Sequence, residues 1–257
     1  QYHGIHVTGT AAGQHYGWAR EANIYNLAVT DPWPSGQQVP AFLIFDYLRA
    51  FHRQKPVNAV TGIKNPTITN HSYGGIYDFE TAMPFGAVTA INYRGTTYNS
   101  SNPGPSGWTE AGIEADFGFN TVGDQYQPSY SAAIIADVID AINEGIVMTG
   151  SAGNDNLLVA EPLGTDWNNT VTITGIGTIY YNRGTWPNSP DGGCINVGAL
   201  SDDSDFRRSS YSNFGPGVSV FAPGDDILSA YGNTGFSDSK YASGNYYFPI
   251  QGTSMAA

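Results

Sequence analysis

The chain has 257 residues and a formal net charge of −12, and only 12% of its residues are charged. Apolar residues make up 40%, with 32 glycines and 15 prolines, which excludes a disordered chain and predicts one compact, loop-rich domain over residues 1–257. The acidic balance excludes nucleic acid as a partner, because phosphates attract lysine and arginine, and no apolar run has membrane-spanning length. The single cysteine, Cys194, excludes a disulfide within the chain.

Two histidines, His3 and His6, stand three residues apart near the start, among small residues. On a helix they would share one face. Zinc binding is one interpretation, but no Glu or Cys lies at a supporting spacing, and two buried core histidines are favoured over a metal site. A catalytic role for His3 depends on a serine elsewhere in the chain.

Strand and helix patterns then alternate. A β-prone run over 18–30 precedes an amphipathic helix over 41–54 and a strand over 66–70, which predicts a parallel α/β unit. Residues 70–75 would lie at the carboxyl end of that strand, where open α/β sheets bind ligands. His71 is interpreted there as a packing or rim residue rather than a catalytic one.

The middle of the chain contains the clearest helix. Residues 76–128, rich in Gly, Asn, Tyr and Pro, predict surface loops and short hairpins. Over 131–145 five isoleucine and valine side chains share one face, and a buried strand follows at 146–149. The carboxamide of Asn154, just beyond this strand, could donate to an oxyanion, and a plain Asx turn is the equal alternative.

The next segments return to loops and strands. Strands are predicted at 171–173 and 194–199, followed by an acidic turn. Its three aspartates, Asp202, Asp203 and Asp205, could hold calcium through carboxylate oxygens, although such runs are more often solvated loops.

The final residues form a serine-containing turn. Gly252 followed by Thr253 and Ser254 predicts a tight turn that opens a helix with Ser254 in its first turn. Backbone N–H groups there would stabilise negative charge beside a hydroxyl that attacks a carbonyl. A turn that only caps a structural helix is the alternative.

Three of these segments together resemble the motifs of subtilisin-like serine proteases, the subtilase or peptidase S8 family. The resembling segments are His3-Gly4-Ile5-His6-Val7-Thr8-Gly9-Thr10, Ser151-Ala152-Gly153-Asn154 and Gly252-Thr253-Ser254-Met255-Ala256. The resemblance covers nearly the whole chain, and Arg207-Arg208-Ser209-Ser210 leans toward the proteinase K-like branch. It implies an α/β fold of three layers, with a central, mainly parallel sheet flanked by helices.

The resemblance also implies roles for individual residues. His3 would be the general base of a serine endopeptidase, Ser254 the nucleophile that forms an acyl-enzyme, and Asn154 a donor to the oxyanion together with the backbone N–H of Ser254. An extended protein or peptide substrate would lie along two segments. These are Ser72, Tyr73 and Gly74, and Ser151, Ala152 and Gly153.

The chemistry that the resemblance implies needs no cofactor. A structural calcium is implied by Asp202, which matches a calcium-ligating aspartate of the proteinase K-like branch, although two extra residues follow it in this chain. The resemblance further implies a secreted or extracellular protein, with association to a virion or a cell surface as a variant of that location.

Departures from the family pattern keep two alternatives open. The family's catalytic Asp precedes its His, so we expect that Asp upstream of this chain, the rest of the central helix downstream, and weak activity from the 257-residue piece alone. A non-catalytic subtilase-fold module is one alternative, supported by Ile5 and Thr8 where the family has Thr and Ala. An esterase is the other, but Ser254 does not lie in a Gly-Xaa-Ser-Xaa-Gly motif.

Overall fold

The computed structural model describes residues 2–28, 39–78, 85–119, 126–232 and 246–257. The helices are α1 (Tyr2–Ala12), α2 (Ala41–Gln54), α3 (Glu110–Phe117), α4 (Ala132–Asn143) and α5 (Thr253–Ala256). The strands are β1 (Thr67–His71), β2 (Ile76–Asp78), β3 (Val88–Tyr93), β4 (Thr96–Tyr98), β5 (Tyr126–Pro128), β6 (Ile146–Ser151), β7 (Thr170–Ile173), β8 (Gly177–Tyr180), β9 (Ile195–Leu200), β10 (Val220–Pro223), β11 (Ile227–Ala230) and β12 (Tyr247–Ile250). None of the helices in these described ranges is long and apolar enough to cross a membrane.

A four-stranded parallel sheet lies at the centre of the fold, in the order β1-β6-β9-β10. His71 at the end of β1 pairs with Gly150 in β6, and Ser151 pairs with Val197 in β9. The carboxyl ends of these strands therefore meet at one edge of the sheet. This arrangement confirms the predicted parallel α/β architecture.

Helices α2 and α4 cover one face of this sheet because each carries an apolar stripe. Phe45 of α2 and Val138 of α4 are fully buried and pack against Ile146 and Met148 of β6. Cys194 is buried in the same cluster, and its Sγ donates to the Met148 carbonyl at 3.5 Å. Along the opposite face, side chains between 40% and 67% exposed come from all four strands: Ile68, Val147, Ile195 and Val220.

A second sheet is antiparallel, in the order β4-β3-β7-β8, and packs with α3 around its own core. The prediction of only loops and short hairpins over 76–128 is therefore wrong. Helix α3 is short but well delimited: the Thr109 hydroxyl accepts the Gly112 N–H at 3.0 Å, and Gly118 ends the helix with a φ of 66°. Ile113 and Phe117 bury this helix in the second core.

The segment before α2 does not form the predicted strand over residues 18–28. Trp18 is 92% exposed there and Tyr25 71% exposed, and within the described ranges no strand pairs with this segment. Apolar alternation alone does not hold an extended segment in a sheet, because a strand also needs a hydrogen-bonded neighbour. Residues 29 and 30 of the predicted strand lie outside the described residues.

Candidate active site

The turn that carries Ser254 follows directly from the antiparallel pair β11–β12. The Gly252 N–H donates to the Gly224 carbonyl at 2.9 Å, which anchors the turn beyond the end of β10. Gly252 has a φ of 151° and a ψ of 157°, a backbone conformation that glycine adopts readily and residues with a Cβ rarely adopt. Ser254 lies in the first turn of α5, as predicted, and is 7% exposed.

Asn154 is fixed against this turn by Thr253. Its Oδ1 accepts the Thr253 N–H at 2.9 Å and the Thr253 hydroxyl at 2.8 Å, while the Thr253 Oγ1 accepts the Gly153 N–H at 3.2 Å. Because Oδ1 takes both donors, Nδ2 is left as the donor end, and no residue in the described part of the chain accepts from it. Nδ2 lies 3.7 Å from the position that a Cβ on Gly252 would occupy.

Asn213 shapes the loop that presents Asn154. Its Nδ2 donates to the Ala152 carbonyl at 2.9 Å, and its Oδ1 accepts the N–H groups of Asp155 and Leu157 at 3.1 and 2.8 Å. Gly153 has a φ of 106°, and a Cβ there would come within 2.3 Å of Asn213 Nδ2. Glycine is therefore required beside Asn154, and the loop conformation is set by side chains distant in sequence.

The two histidines of α1 have different surroundings. His6 is fully buried, and its Nε2 lies 2.9 Å from the Phe248 carbonyl in β12, while the Ser229 hydroxyl of β11 donates to the His6 carbonyl at 2.8 Å. His3 and His6 lie on one face of α1 as predicted, since three residues of an α-helix leave their side chains only about 60° apart. Only His6 is buried against the β11–β12 pair, whereas His3 is exposed, so the expectation of two buried core histidines holds for His6 alone. The described residues contain no group of three or more His, Cys, Asp or Glu suited to a metal ion, which leaves the zinc interpretation without support.

His3 lies on a helix that contacts α5, but no hydrogen bond joins His3 to Ser254 among the described residues. Desolvation by nearby protein atoms lowers the pKa of the His3 imidazole. Within those same ranges no carboxylate hydrogen-bonds or ion-pairs with His3. A triad requires such a carboxylate to hold the imidazole in one tautomer.

The two predicted substrate-binding segments lie beside each other at the carboxyl ends of β1 and β6. We call Ser72–Gly74 the first wall and Ser151–Gly153 the second wall. The Ser72 hydroxyl lies 3.1 Å from the Ser254 carbonyl, and the Gly153 N–H donates to Thr253. Both walls therefore converge on the serine turn.

His71 is a packing residue, as predicted, and is 2% exposed. Its Nδ1 lies 2.9 Å from the Tyr73 hydroxyl and its Nε2 2.9 Å from the Thr69 hydroxyl, while its ring stacks on Phe45. Burial lowers the pKa of His71 to about 4 and raises the pKa of Tyr73. Both side chains are neutral near pH 7.

The acidic turn uses two of its three carboxylates internally. Asp203 Oδ1 accepts the N–H groups of Asp205 and Arg207 at 3.1 and 3.3 Å, and Asp205 Oδ2 pairs with Arg207 at 2.5 Å. The nearby Ser201 hydroxyl and the N–H groups of Arg207 and Asp205 lower the pKa of the Asp203 carboxyl. Asp202 borders an open cavity of about 550 Å³, also lined by Asp225, Asp226, Pro249, Ile250 and Gln251. In the part of the chain described, this set of oxygen donors does not form a recognisable calcium site.

The sequence prediction missed Thr253 and Asn213, which hold the loop and the carboxamide of Asn154. Thr253 lies inside the serine motif, but its role becomes visible only when β6 and α5 are brought together. Asn213 had no local signal, because its partners Leu157 and Ala152 lie 56 and 61 residues earlier in the chain. The arrangement as a whole provides a hydroxyl, an imidazole on a neighbouring helix, and an amide donor fixed beside the hydroxyl's turn.

The fold is similar to that of a solved structure. The structure of a cold adapted subtilisin-like serine proteinase matches with a TM-score of 0.53 and 23% identity, covering 100% of this chain and 57% of that one. The fold is therefore subtilisin-like, as predicted. The family model of the peptidase S8 or subtilase family matches residues 1–257, so the chain belongs to the subtilase family.

Several fungal proteins are similar in sequence. The cuticle-degrading protease of Metarhizium anisopliae is 24% identical over 229 residues, covering 89% of this chain and 37% of that protein. Subtilisin-like protease 5 of Arthroderma otae is 24% identical over 255 residues, 99% of this chain and 40% of that protein. Subtilisin-like protease 2 of Pseudogymnoascus destructans is 35% identical over 128 residues, 50% of this chain and 23% of that protein. The chain thus spans two fifths or less of the length of these relatives.

Proposed function

We propose that the protein containing this chain is a serine endopeptidase that cleaves extended peptide segments through an acyl-enzyme. The observation that carries the proposal is the fixed carboxamide of Asn154, whose Oδ1 is held by Thr253 so that Nδ2 remains a donor beside the Ser254 turn. A developing oxyanion needs such a donor, already oriented before the reaction begins. Membership of the subtilase family supports the same reaction.

The proposed chemistry proceeds in two transfers. His3 takes the proton of the Ser254 hydroxyl as its oxygen attacks the scissile carbonyl, and the Asn154 Nδ2 and the Ser254 N–H donate to the resulting oxyanion. The carbon–nitrogen bond then breaks, and His3 gives its proton to the departing amine. Water, deprotonated by His3, attacks the acyl-enzyme and releases the acid with the Ser254 hydroxyl restored.

The two walls supply the proposed peptide-binding surface. They lie at the carboxyl ends of adjacent parallel strands and both contact the serine turn. An extended peptide laid along them would form main-chain hydrogen bonds, which accept many sequences. We further propose an extracellular location for the protein.

Covalent labelling by an alkyl fluorophosphonate tests the reaction directly. We expect one adduct by intact mass on the protein that contains these 257 residues, formed as the Ser254 oxygen displaces fluoride from phosphorus. Ser254→Ala should abolish the adduct. Asn154→Ala should lower peptide turnover by roughly 10²–10³-fold, the range found when one oxyanion donor is removed from a serine protease.

A folded protein that takes up no reagent would contradict the proposal. The non-catalytic module would then be favoured, consistent with the absence of a His3–Ser254 hydrogen bond in the described residues. Turnover of esters without turnover of peptides would favour the esterase instead.

A further inference from the structure

The side chain of Asn188 lies between the two walls and binds both. Its Nδ2 is 2.9 Å from the His71 carbonyl, 3.0 Å from the Tyr73 carbonyl and 3.1 Å from the Ser151 carbonyl. The first two carbonyls bracket Ser72 in the first wall, and the third begins the second wall. Asn188 is 2% exposed, so these bonds are shielded from water.

We propose that Asn188 is a positioning residue that fixes the separation of the two walls and thereby sets the size of the substrate side chain accepted between them. This inference rests on the proposed function. Both walls converge on the turn of Ser254, through Ser72 and through Gly153. The space between them therefore faces the residue whose carbonyl the serine attacks.

The absence of a side chain at Gly150 leaves room for the Asn188 carboxamide. A Cβ on Gly150 would lie 2.0 Å from Asn188 Oδ1 and 2.3 Å from its Cγ, distances that real side chains do not reach. Gly150 pairs with His71 across the two strands, so the carboxamide lies at the junction of β1 and β6. The fit shows that Asn188 fills the space at the base of the walls.

The loop that carries Asn188 is itself held firmly. The Ser189 hydroxyl bonds to the Arg183 carbonyl at 2.7 Å, and the Arg183 guanidinium, 3.4 Å from the centre of the Tyr180 ring, donates to the Trp167 carbonyl at 3.0 Å. On its other side, the Gly75 N–H donates to the Trp186 carbonyl at 2.9 Å. A side chain on so constrained a loop resists displacement when a substrate pushes the walls apart.

Removing the Asn188 carboxamide should enlarge the space between the two walls. Asn188→Ala leaves three carbonyls without their shared donor and opens a void at the base of the walls. Larger side chains should then enter between the walls. Contacts to a few extra carbon atoms in an apolar pocket change selectivity by one to two orders of magnitude.

The test compares peptides that differ only in the residue before the cleaved bond, alanine against phenylalanine. In Asn188→Ala the ratio of kcat/KM for phenylalanine over alanine should rise about 10-fold, mainly through KM. The rate of labelling by a small alkyl fluorophosphonate, which places no such side chain between the walls, should change less than about threefold. Asn188→Ser keeps a hydroxyl donor and should shift the ratio in the same direction by less, which maintains the test if Asn188→Ala does not fold.

Asn169→Ala is the matched control. Asn169 is equally buried and forms three comparable bonds, with the Arg94 N–H at 2.8 Å and with Asp166 and Asn182 at 3.0 Å, but none reaches a wall. This variant should lose stability and keep the wild-type ratio. The inference would be overturned if Asn188 variants that still react with fluorophosphonate kept the wild-type ratio of kcat/KM for phenylalanine over alanine. It would also be overturned if Asn169→Ala changed that ratio equally. Wild-type protein that takes up no fluorophosphonate would instead overturn the proposed function, and the selectivity role with it.

Discussion

His71 shows how burial changes the acid–base behaviour of a single residue. Packed against Phe45 and hydrogen-bonded to the Tyr73 and Thr69 hydroxyls, it titrates with a pKa of about 4, whereas in the unfolded chain its pKa is about 6.5. The unfolded chain therefore binds more protons between these values. The stability associated with neutral His71 is fully present above pH 6.5 and is lost as the pH falls toward 4.

Urea unfolding at pH 7 and pH 4 measures this contribution. Titration of His71 should remove about 3 kcal/mol from the free energy of unfolding over that range. His71→Asn, which cannot titrate there, should be less stable at pH 7 and should show a correspondingly smaller pH dependence. Identical pH dependences in the two proteins would contradict the assignment.

Within the site, the residues that could be predicted are those with a local sequence signal. The serine turn, Asn154 and the buried His71 were predicted, because each has a signal within a few neighbouring residues. Asn188 was not, because the carbonyls it binds belong to residues about 37 to 117 positions earlier in the chain. No local pattern encodes such a contact.

Helix α1 is the element that brings His3 toward the serine turn, and its packing depends on one glycine. A Cβ on Gly9 would lie 2.5 Å from the Ser229 Oγ and 2.9 Å from the Ala230 backbone N, so α1 approaches β11 at backbone distance. Gly4, on the same helix, has no atom within 4 Å of its would-be Cβ. Substituting Gly4 and Gly9 one at a time therefore separates the effect of helix propensity from the effect of packing against β11.

Gly4→Ala should stabilise the protein by roughly 0.5–1 kcal/mol, because alanine favours a helix over glycine without meeting a neighbour. Gly9→Ala gains the same propensity but forces α1 away from β11, and we expect a net loss of about 1–3 kcal/mol. Thermal unfolding of the two variants checks both signs. Stabilisation by both substitutions would show that α1 does not pack tightly on β11.

Elements with one-sided burial were predictable, and those without it were not. Helices α2 and α4 carry apolar stripes because only one side of each meets the sheet, and their predicted spans match closely. Helix α3 has eight residues and lies among turn-forming residues, so its signal was lost in the surrounding composition. The run over residues 18–28 erred in the opposite sense, since its alternation lacks a partner strand in the described chain.

At the scale of the whole molecule, the order of motifs carried more information than any single motif. A histidine pair, a glycine–asparagine loop and a serine turn each have a structural explanation of their own. The fold brings the last two together, because β6 and the β11–β12 pair deliver Asn154 and the turn of Ser254 to the same edge of the parallel sheet. The antiparallel sheet around α3 contains no motif, and β7 is the only one of its strands that was predicted individually, so the second core could not be inferred from sequence.

The rate at which the Cys194 thiol reacts should report how often the central sheet opens. The thiol is the only one in the chain, is buried against Met148 of β6, and lies 3.8 Å from the Asn188 Oδ1. Burial raises its pKa from 9.0 to about 12, which lowers the thiolate fraction about 10³-fold before access is considered. A disulfide reagent should therefore modify the protein only as fast as β6 and the Asn188 loop separate. We expect the thiol to be modified faster in Asn188→Ala than in Asn169→Ala when the two variants have equal global stability. The difference in rate would measure how much Asn188 slows the local opening of the structure at the base of the two walls.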